Sequence, residues 1–149
     1  IASNLRPAML DFGIVSAIDW QLQRFSHNTD IAHEFSAPDA AIPLDPELAI
    51  AVFRIVQEAL TNVAKHARAS KVKVSLVRDR DSLRVSVTDD GQGIQPCRGK
   101  SGKHGFGVLG MRERAAALGG ELSVQPARRR GTQVSLRIPL PAAPPATPK

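Results

Sequence analysis

Four stretches of this chain alternate residue by residue between apolar and polar side chains: "KVKVSLV" (71–77), "LRVSVTD" (83–89), "ELSVQ" (121–125) and "TQVSLRIPL" (132–140). A period of two puts the apolar residues on one side of a strand and the polar ones on the other, so each strand buries one face only. The connections "RDRDS" and "PARRRG" are short enough to make each pair a hairpin. A sheet that is apolar on one side needs a second layer, and stretches of helical period supply it. "IVSAIDWQLQRF" sets Ile14, Ile18, Leu22 and Phe25 on one helix face. Residues 46–67 gather Leu48, Val52, Ile55, Val56, Ala59, Leu60 and Val63 on another, with Pro46 where a first turn tolerates it. A third helix, "VLGMRERAAALGG", stops at a Gly-Gly pair, and "IAHEFSA" reads as a further short strand before a proline-rich loop. The fold class that follows is α+β: a two-layer α/β sandwich, its mixed and mostly antiparallel sheet covered on one face by helices.

At 149 residues the chain suits a single domain that buries ~70% of its unfolded surface. It holds no apolar run near the ~18 residues needed to span a membrane, and none of its residues is expected to form a signal peptide. The single cysteine, Cys97, excludes an internal disulfide, fits a reducing cytoplasmic compartment and reads as a loop thiol. The chain starts at Ile1 rather than a methionine and is expected to be a piece of something longer. Its proline- and alanine-rich end, 141–149, is expected to be disordered.

The net charge of +6 is unevenly spread. Residues 1–50 carry 2 Lys/Arg against 7 Asp/Glu, and residues 51–149 carry 18 against 7. The basic part suits a polyanion, either a nucleic acid or a nucleoside triphosphate, or is simply a solvated surface. Only 4% of residues are aromatic and no recognition-helix pattern appears, which speaks against nucleic acid.

Three constellations carry chemistry. On the long helix Arg54, Glu58, Asn62 and Lys65, with His66 beside it, fall at i, i+4, i+8 and i+11 on the polar face. Such a face is either solvated or holds Mg²⁺ through oxygens and touches a phosphate with a cation. The strand 83–89 runs into "VTDDGQGI", two acids followed by Gly91 and Gly93, which on its own is also a strong turn signal. "GFGVLG" (105–110) is formally G-x-G-x-x-G, but the polar loop "QPCRGKSGKH" precedes it where a Rossmann fingerprint needs a strand. Glycines at a helix start nevertheless leave N–H groups free to bind phosphate, and Arg98, Lys100 and Lys103 add positive charge; a flexible loop is the alternative.

The order of these signals resembles the ATP-binding (Bergerat-type) fold shared by gyrase, Hsp90, histidine kinases and MutL: E-x-x-x-N-x-x-K-H on a helix, D-x-G-x-G after a strand, G-x-G-x-x-G into a helix, and "GT" opening the last strand. "FRIVQEALTNVAKHARAS" is similar to the N box of sensor histidine kinases of the nitrate/nitrite-sensor type, and "GFGVLGMRERAAALGGEL" to their second glycine box. "LRPAMLDFGIVSAIDWQLQRF" resembles the segment that leads out of their dimerisation helices. The resemblance implies a lead-in and first helix over 1–28 and a catalytic ATP-binding domain over 29–140, with a lid at about 95–106. It implies that Asp89 accepts a hydrogen bond from the adenine amino group, with Gly91 and Gly93 letting the backbone pass close to the base and Thr132 placing a hydroxyl nearby. Asn62 would be the Mg²⁺ ligand, Lys65 would approach the phosphates and His66 would adjoin the nucleotide. Gly105, Gly107 and Gly110 would hinge the lid. Glu58 would be a general base in hydrolysing relatives and a helper with metal or proton in a kinase. Asp90 would shape the turn or face solvent.

The implied activity is transfer of the ATP γ-phosphoryl group to a histidine on a dimerisation domain, for relay to a response regulator. No nucleic-acid partner is expected, and no membrane contact by this domain itself. The domain is expected to be cytoplasmic, whether alone or as the cytoplasmic part of a membrane-bound sensor. The isolated domain is expected to be monomeric and the full kinase a homodimer. An ATP hydrolase or a protein-serine kinase on the same fold, or a basic nucleic-acid-binding module, are the alternatives. "AHEFSAP" around His33 imitates a phosphoacceptor box, but only 24 residues and three prolines separate His33 from Glu58, too little for the helical hairpin such a box needs. His33 is expected to be an ordinary strand residue.

Overall fold

The computed structural model describes residues 8–38, 42, 44–91, 103–127 and 130–140, with the main chain alone at 8, 9, 66, 67 and 103–108. A 3-10 turn (Ala8–Phe12) leads into helix α1 (Ile14–Thr29), followed by strand β1 (Ala32–Ser36), helix α2 (Pro46–Asn62) and the hairpin β2 (Lys71–Arg78) and β3 (Ser82–Asp89). Helix α3 (Lys103–Ala117) then precedes the hairpin β4 (Glu121–Pro126) and β5 (Thr132–Pro139). The strands form one sheet in the order β1-β2-β3-β5-β4. β1 runs parallel to β2, as a crossover through α2 allows, and the other pairs are antiparallel.

Register turns the four alternating stretches into one apolar face. Val72, Val74 and Leu76 stand opposite Asp89, Val87 and Val85, while Leu83 and Val85 stand opposite Ile138 and Leu136. This face meets Ile14, Ile18, Leu22 and Phe25 of α1, Val52, Ile55, Val56 and Leu60 of α2, and Met111 and Ala115 of α3 in a single buried cluster. The other face is polar. One rung of it, Ser36, Ser75, Ser86, Ser135 and Ser123, crosses all five strands. A rung of hydroxyls offers no apolar area to a second helical layer, so the sandwich has two layers as expected.

Two helix boundaries differ from the periodicity. The second helix is α-helical only to Asn62 and continues as a π turn over Val63–Ala67, ending at Arg68 with a left-handed φ of 51°. The third starts at Lys103, five residues before the expected Val108, and therefore overlaps the expected lid at 103–106. Gly105, Gly107 and Gly110 each weigh about 1 kcal/mol against a helix. Burial of Met111 and Ala115 overrides that local preference. The end of α3 follows the sequence signal: Gly119, at φ 75°, donates its N–H to Ala116 O (2.9 Å), and Gly120 donates to Ala115 O (2.8 Å).

Candidate functional site

Asp89 is the last residue of the apolar row on β3, one position beyond the alternation of Leu83, Val85 and Val87. The pleat therefore points its carboxylate into the core side of the sheet, where it is only 6% exposed. Burial pushes this carboxyl above the usual carboxylate range; the N–H groups of Gly91 and Thr132 pull the other way, and the neighbouring Asp90 charge adds to the rise. The Gly91 N–H reaches Asp89 Oδ1 at 2.8 Å. Two donors leave spare capacity on a carboxylate that accepts about four hydrogen bonds. A desolvated acceptor at the rim of an apolar layer is suited to receive an N–H from a flat, otherwise apolar ligand.

The turn before β5 holds this carboxylate in place. Gly131 has φ 96°, and a Cβ there would lie 1.9 Å from the Asp89 carbonyl oxygen. No side chain fits between the two strands at this point. Arg130 Nε donates to Gly91 O at 3.0 Å, and Thr132 is buried beside the acid.

Asp90, the second acid, has a different task. Its carboxylate accepts from Ser70 N (2.8 Å), Ser70 Oγ (2.8 Å) and Lys71 N (3.0 Å), which ties the end of β3 to the start of β2. Burial alone would raise its pKa, but the Ser70 hydroxyl and the N–H groups of Ser70 and Lys71 outweigh this and hold it below the usual range. It shapes the turn, as expected.

On α2 the polar face holds as far as Asn62. Glu58 and Asn62, one turn apart, are both half-buried, and neither side chain is hydrogen-bonded among the described residues. Beyond them the π turn rotates each residue less than an α-helix would, so the i+11 position leaves the face. Lys65 is exposed and lines a groove between α1 and α2 alongside Trp20 and Arg24. Among the described residues no three His, Cys, Asp or Glu side chains cluster as a metal cage. The free oxygens of Asn62 and Glu58 do suit Mg²⁺, an ion that takes one or two protein oxygens and completes its shell with water and phosphate.

Gly105, Gly107 and Gly110 all lie within α3. In a helix only first-turn N–H groups are free, so Gly105 retains a donor for an anion, while Gly107 and Gly110 direct theirs four residues back. Gly93, Arg98 and Lys100 lie outside the described residues, and of His66 and Lys103 only the main chain is described. His33 sits in β1 with its Nδ1 against Ser26 Oγ at 2.6 Å, an ordinary strand residue. Sequence reasoning overlooked Ser70, Arg130 and Gly131. Only Gly131 left a trace, as the glycine before Thr132; the other two act through contacts distant in the chain.

Residues 47–142 match the family model of histidine kinase-, DNA gyrase B- and HSP90-like ATPases. The chain is 33% identical over 135 residues to the signal transduction histidine-protein kinase/phosphatase DegS of Brevibacillus brevis, covering 91% of this chain and 34% of that protein. It is 36% identical over 138 residues to the sensor histidine kinase LiaS of Bacillus subtilis, covering 92% and 37%. It thus spans about a third of the length of these relatives. Among solved structures, the histidine kinase domain of the Erythrobacter litoralis blue-light activated histidine kinase superposes with a TM-score of 0.71 at 29% identity, covering 86% of this chain and 61% of that one. The matched residues include α2, the acid at the end of β3 and the clamp before β5, so the chain belongs to the histidine kinase-, DNA gyrase B- and HSP90-like ATPase family, as an ATP-binding domain of the sensor histidine kinase kind.

Proposed function

We propose that Asp89 reads the adenine of ATP and that this domain delivers the γ-phosphoryl group to a histidine on a dimerisation domain, for relay to a response regulator. The observation that carries the reading is the buried Asp89 carboxylate, held by the Gly91 and Thr132 N–H groups with acceptor capacity to spare. Adenine presents an amino group where guanine presents an oxygen, so an acceptor here distinguishes the two. Asn62 would hold Mg²⁺ with Glu58 beside it, and the ion would supply charge neutralisation at the phosphates. Lys65 and His66 on the π turn, the Gly105 N–H, Gly93, Gly107, Gly110 and the Thr132 hydroxyl complete the proposed set. Their contribution is positioning and charge neutralisation, which account for most of phosphoryl-transfer catalysis. We also place the chain in the nitrate/nitrite-sensor-type branch, on the segment "LRPAMLDFGIVSAIDWQLQRF". A hydrogen bond to a charged group is worth about 1.5–3 kcal/mol, so Asp89→Asn should weaken ATP binding roughly 10- to 150-fold. Calorimetry with ATP and GTP checks this: equal affinities for the two in the unmodified chain would defeat the assignment.

A further inference from the structure

The surface between α1 and α2 carries a groove of about 450 Å³ that shares only Lys65 with the proposed nucleotide site. Trp20, Arg24 and Asn28 form one bank at i, i+4 and i+8; Gln57 and Thr61 lie on the other. Gln21 lines it between them. Its Oε1 has no hydrogen-bond partner, alone in this among the buried side-chain polar atoms of the described residues. Its Nε2 makes only a long contact, 3.5 Å, to Phe53 O. Native interiors leave few such acceptors unsatisfied, and each calls for a donor. The charged residues lining the groove are Arg24 and Lys65, both cations, with no carboxylate among them. The Arg24 guanidinium stands 5.2 Å from the Trp20 ring centroid and makes no ion pair with a described residue.

We propose that this groove docks an amphipathic helix of a partner polypeptide, with carboxylates facing Arg24 and Lys65 and a hydroxyl or amide donor for Gln21. The banks are themselves ridges of helical period, and the groove between two helices accepts the ridges of a third. An extended strand would find no free backbone edge here, because both helices use their N–H and C=O groups internally. Trp20 to Asn28 spans about 12 Å along the helix axis, a little over two turns of an occupant. The Oε1 atom is closed off from water in the free domain, so docking includes a turn of the Gln21 amide that gives up its long bond to Phe53 O.

The test uses the chain itself and a capped, alanine-based peptide of about 15 residues, long enough to be marginally helical. It carries leucines at i, i+4 and i+7, a serine between them and flanking glutamates. Trp20 is the single tryptophan, so its emission reports on the groove directly. The acidic peptide should shift that emission with a Kd near or below about 100 μM, and a version with lysines for glutamates should not. Arg24→Glu should reverse this preference. Gln21→Met, which removes the orphan acceptor, should raise the melting midpoint and weaken the serine peptide roughly three- to tenfold. In that variant, changing the peptide's serine to alanine should then have no further effect. The proposal fails if Trp20 emission is unmoved at about 1 mM peptide, far above the Kd expected of such a groove. It fails if acidic and basic peptides bind alike, or if Gln21→Met lowers the midpoint and leaves the peptide's affinity unchanged. It fails too if decanoate, a small anionic amphiphile, shifts the emission while the acidic peptide does not.

Discussion

Asp89 and Asp90 are chemically identical neighbours, the first ending β3 with its carboxylate buried and the second just beyond the strand on Ser70 and Lys71, and their titrations run in opposite directions. The Asp89 carboxyl titrates above its unfolded value of about 3.9, because burial outweighs its two N–H donors. Between the two values the folded chain holds a proton that the unfolded chain has released. Stability from this group is therefore full below about pH 4 and falls as pH rises through the raised folded value. Asp90, held below the usual range by Ser70 and Lys71, contributes stability that is present above about pH 4 and lost as pH falls through its lowered value. Urea melts of the unmodified chain and Asp89→Asn across the acid range separate the two, since both proteins keep Asp90. The stability of the unmodified chain relative to Asp89→Asn should drop as pH rises through the window above about pH 4. A difference that stays flat, or climbs, would show that the carboxylate is not desolvated as the structure has it.

Helix α3 gives a cleaner test at the scale of an element. An added Cβ at Gly110 would meet nothing within 4 Å, and the residue lies in the interior of a helix. Packing therefore gives no reason for a glycine, and Gly110→Ala should stabilise the domain by about 0.5–1 kcal/mol. If the glycine serves the close approach of a nucleotide, the same variant should bind ATP more weakly while melting higher. Thermal melts paired with ATP titrations check both halves. A variant that melts higher and binds ATP unchanged would remove Gly110 from the site. The π turn after Asn62 is the other feature at this scale. It takes Lys65 off the face of Glu58 and Asn62 and turns it toward α1, a displacement that a strictly α-helical count cannot register.

At the scale of the whole molecule, the expectation concerns what this chain does alone. His33 is fixed in β1, paired with β2, rather than on a helical hairpin of the kind a phosphoacceptor box needs. Proximity supplies much of the rate of phosphoryl transfer, and a domain without its acceptor has none to use. Incubated with γ-labelled ATP and Mg²⁺, the chain should acquire no acid-labile, base-stable label. A separately supplied dimerisation domain should become labelled on its histidine. Label on this chain alone that disappears in His33→Gln would overturn both the role of His33 and the assignment of the acceptor to another domain.

The two-layer architecture was legible in the sequence because it rests on local periodicity. Alternation over 71–77, 83–89 and 132–140 dictated a one-sided sheet, and the stripes through Ile18 and Val56 dictated what covers it. The motif order likewise pointed to Asp89, since a strand that ends in an acid and a glycine is visible in eight letters. Register and packing decided the rest. Only the pairing of β3 with β2 and β5 distinguishes the desolvated Asp89 from the turn-holding Asp90. Only the tertiary fold brings Gly131 against the Asp89 backbone and sets Arg130 on Gly91 O across 39 residues. The start of α3 was decided there too, because glycine's local cost is about 1 kcal/mol and burying side chains such as Met111 outweighs it. The π turn after Asn62 likewise left no mark in the local periodicity. Gln21 shows the same limit: it reads as a polar residue on a helix, and only the packing of α1 against α2 buries it with an unanswered oxygen.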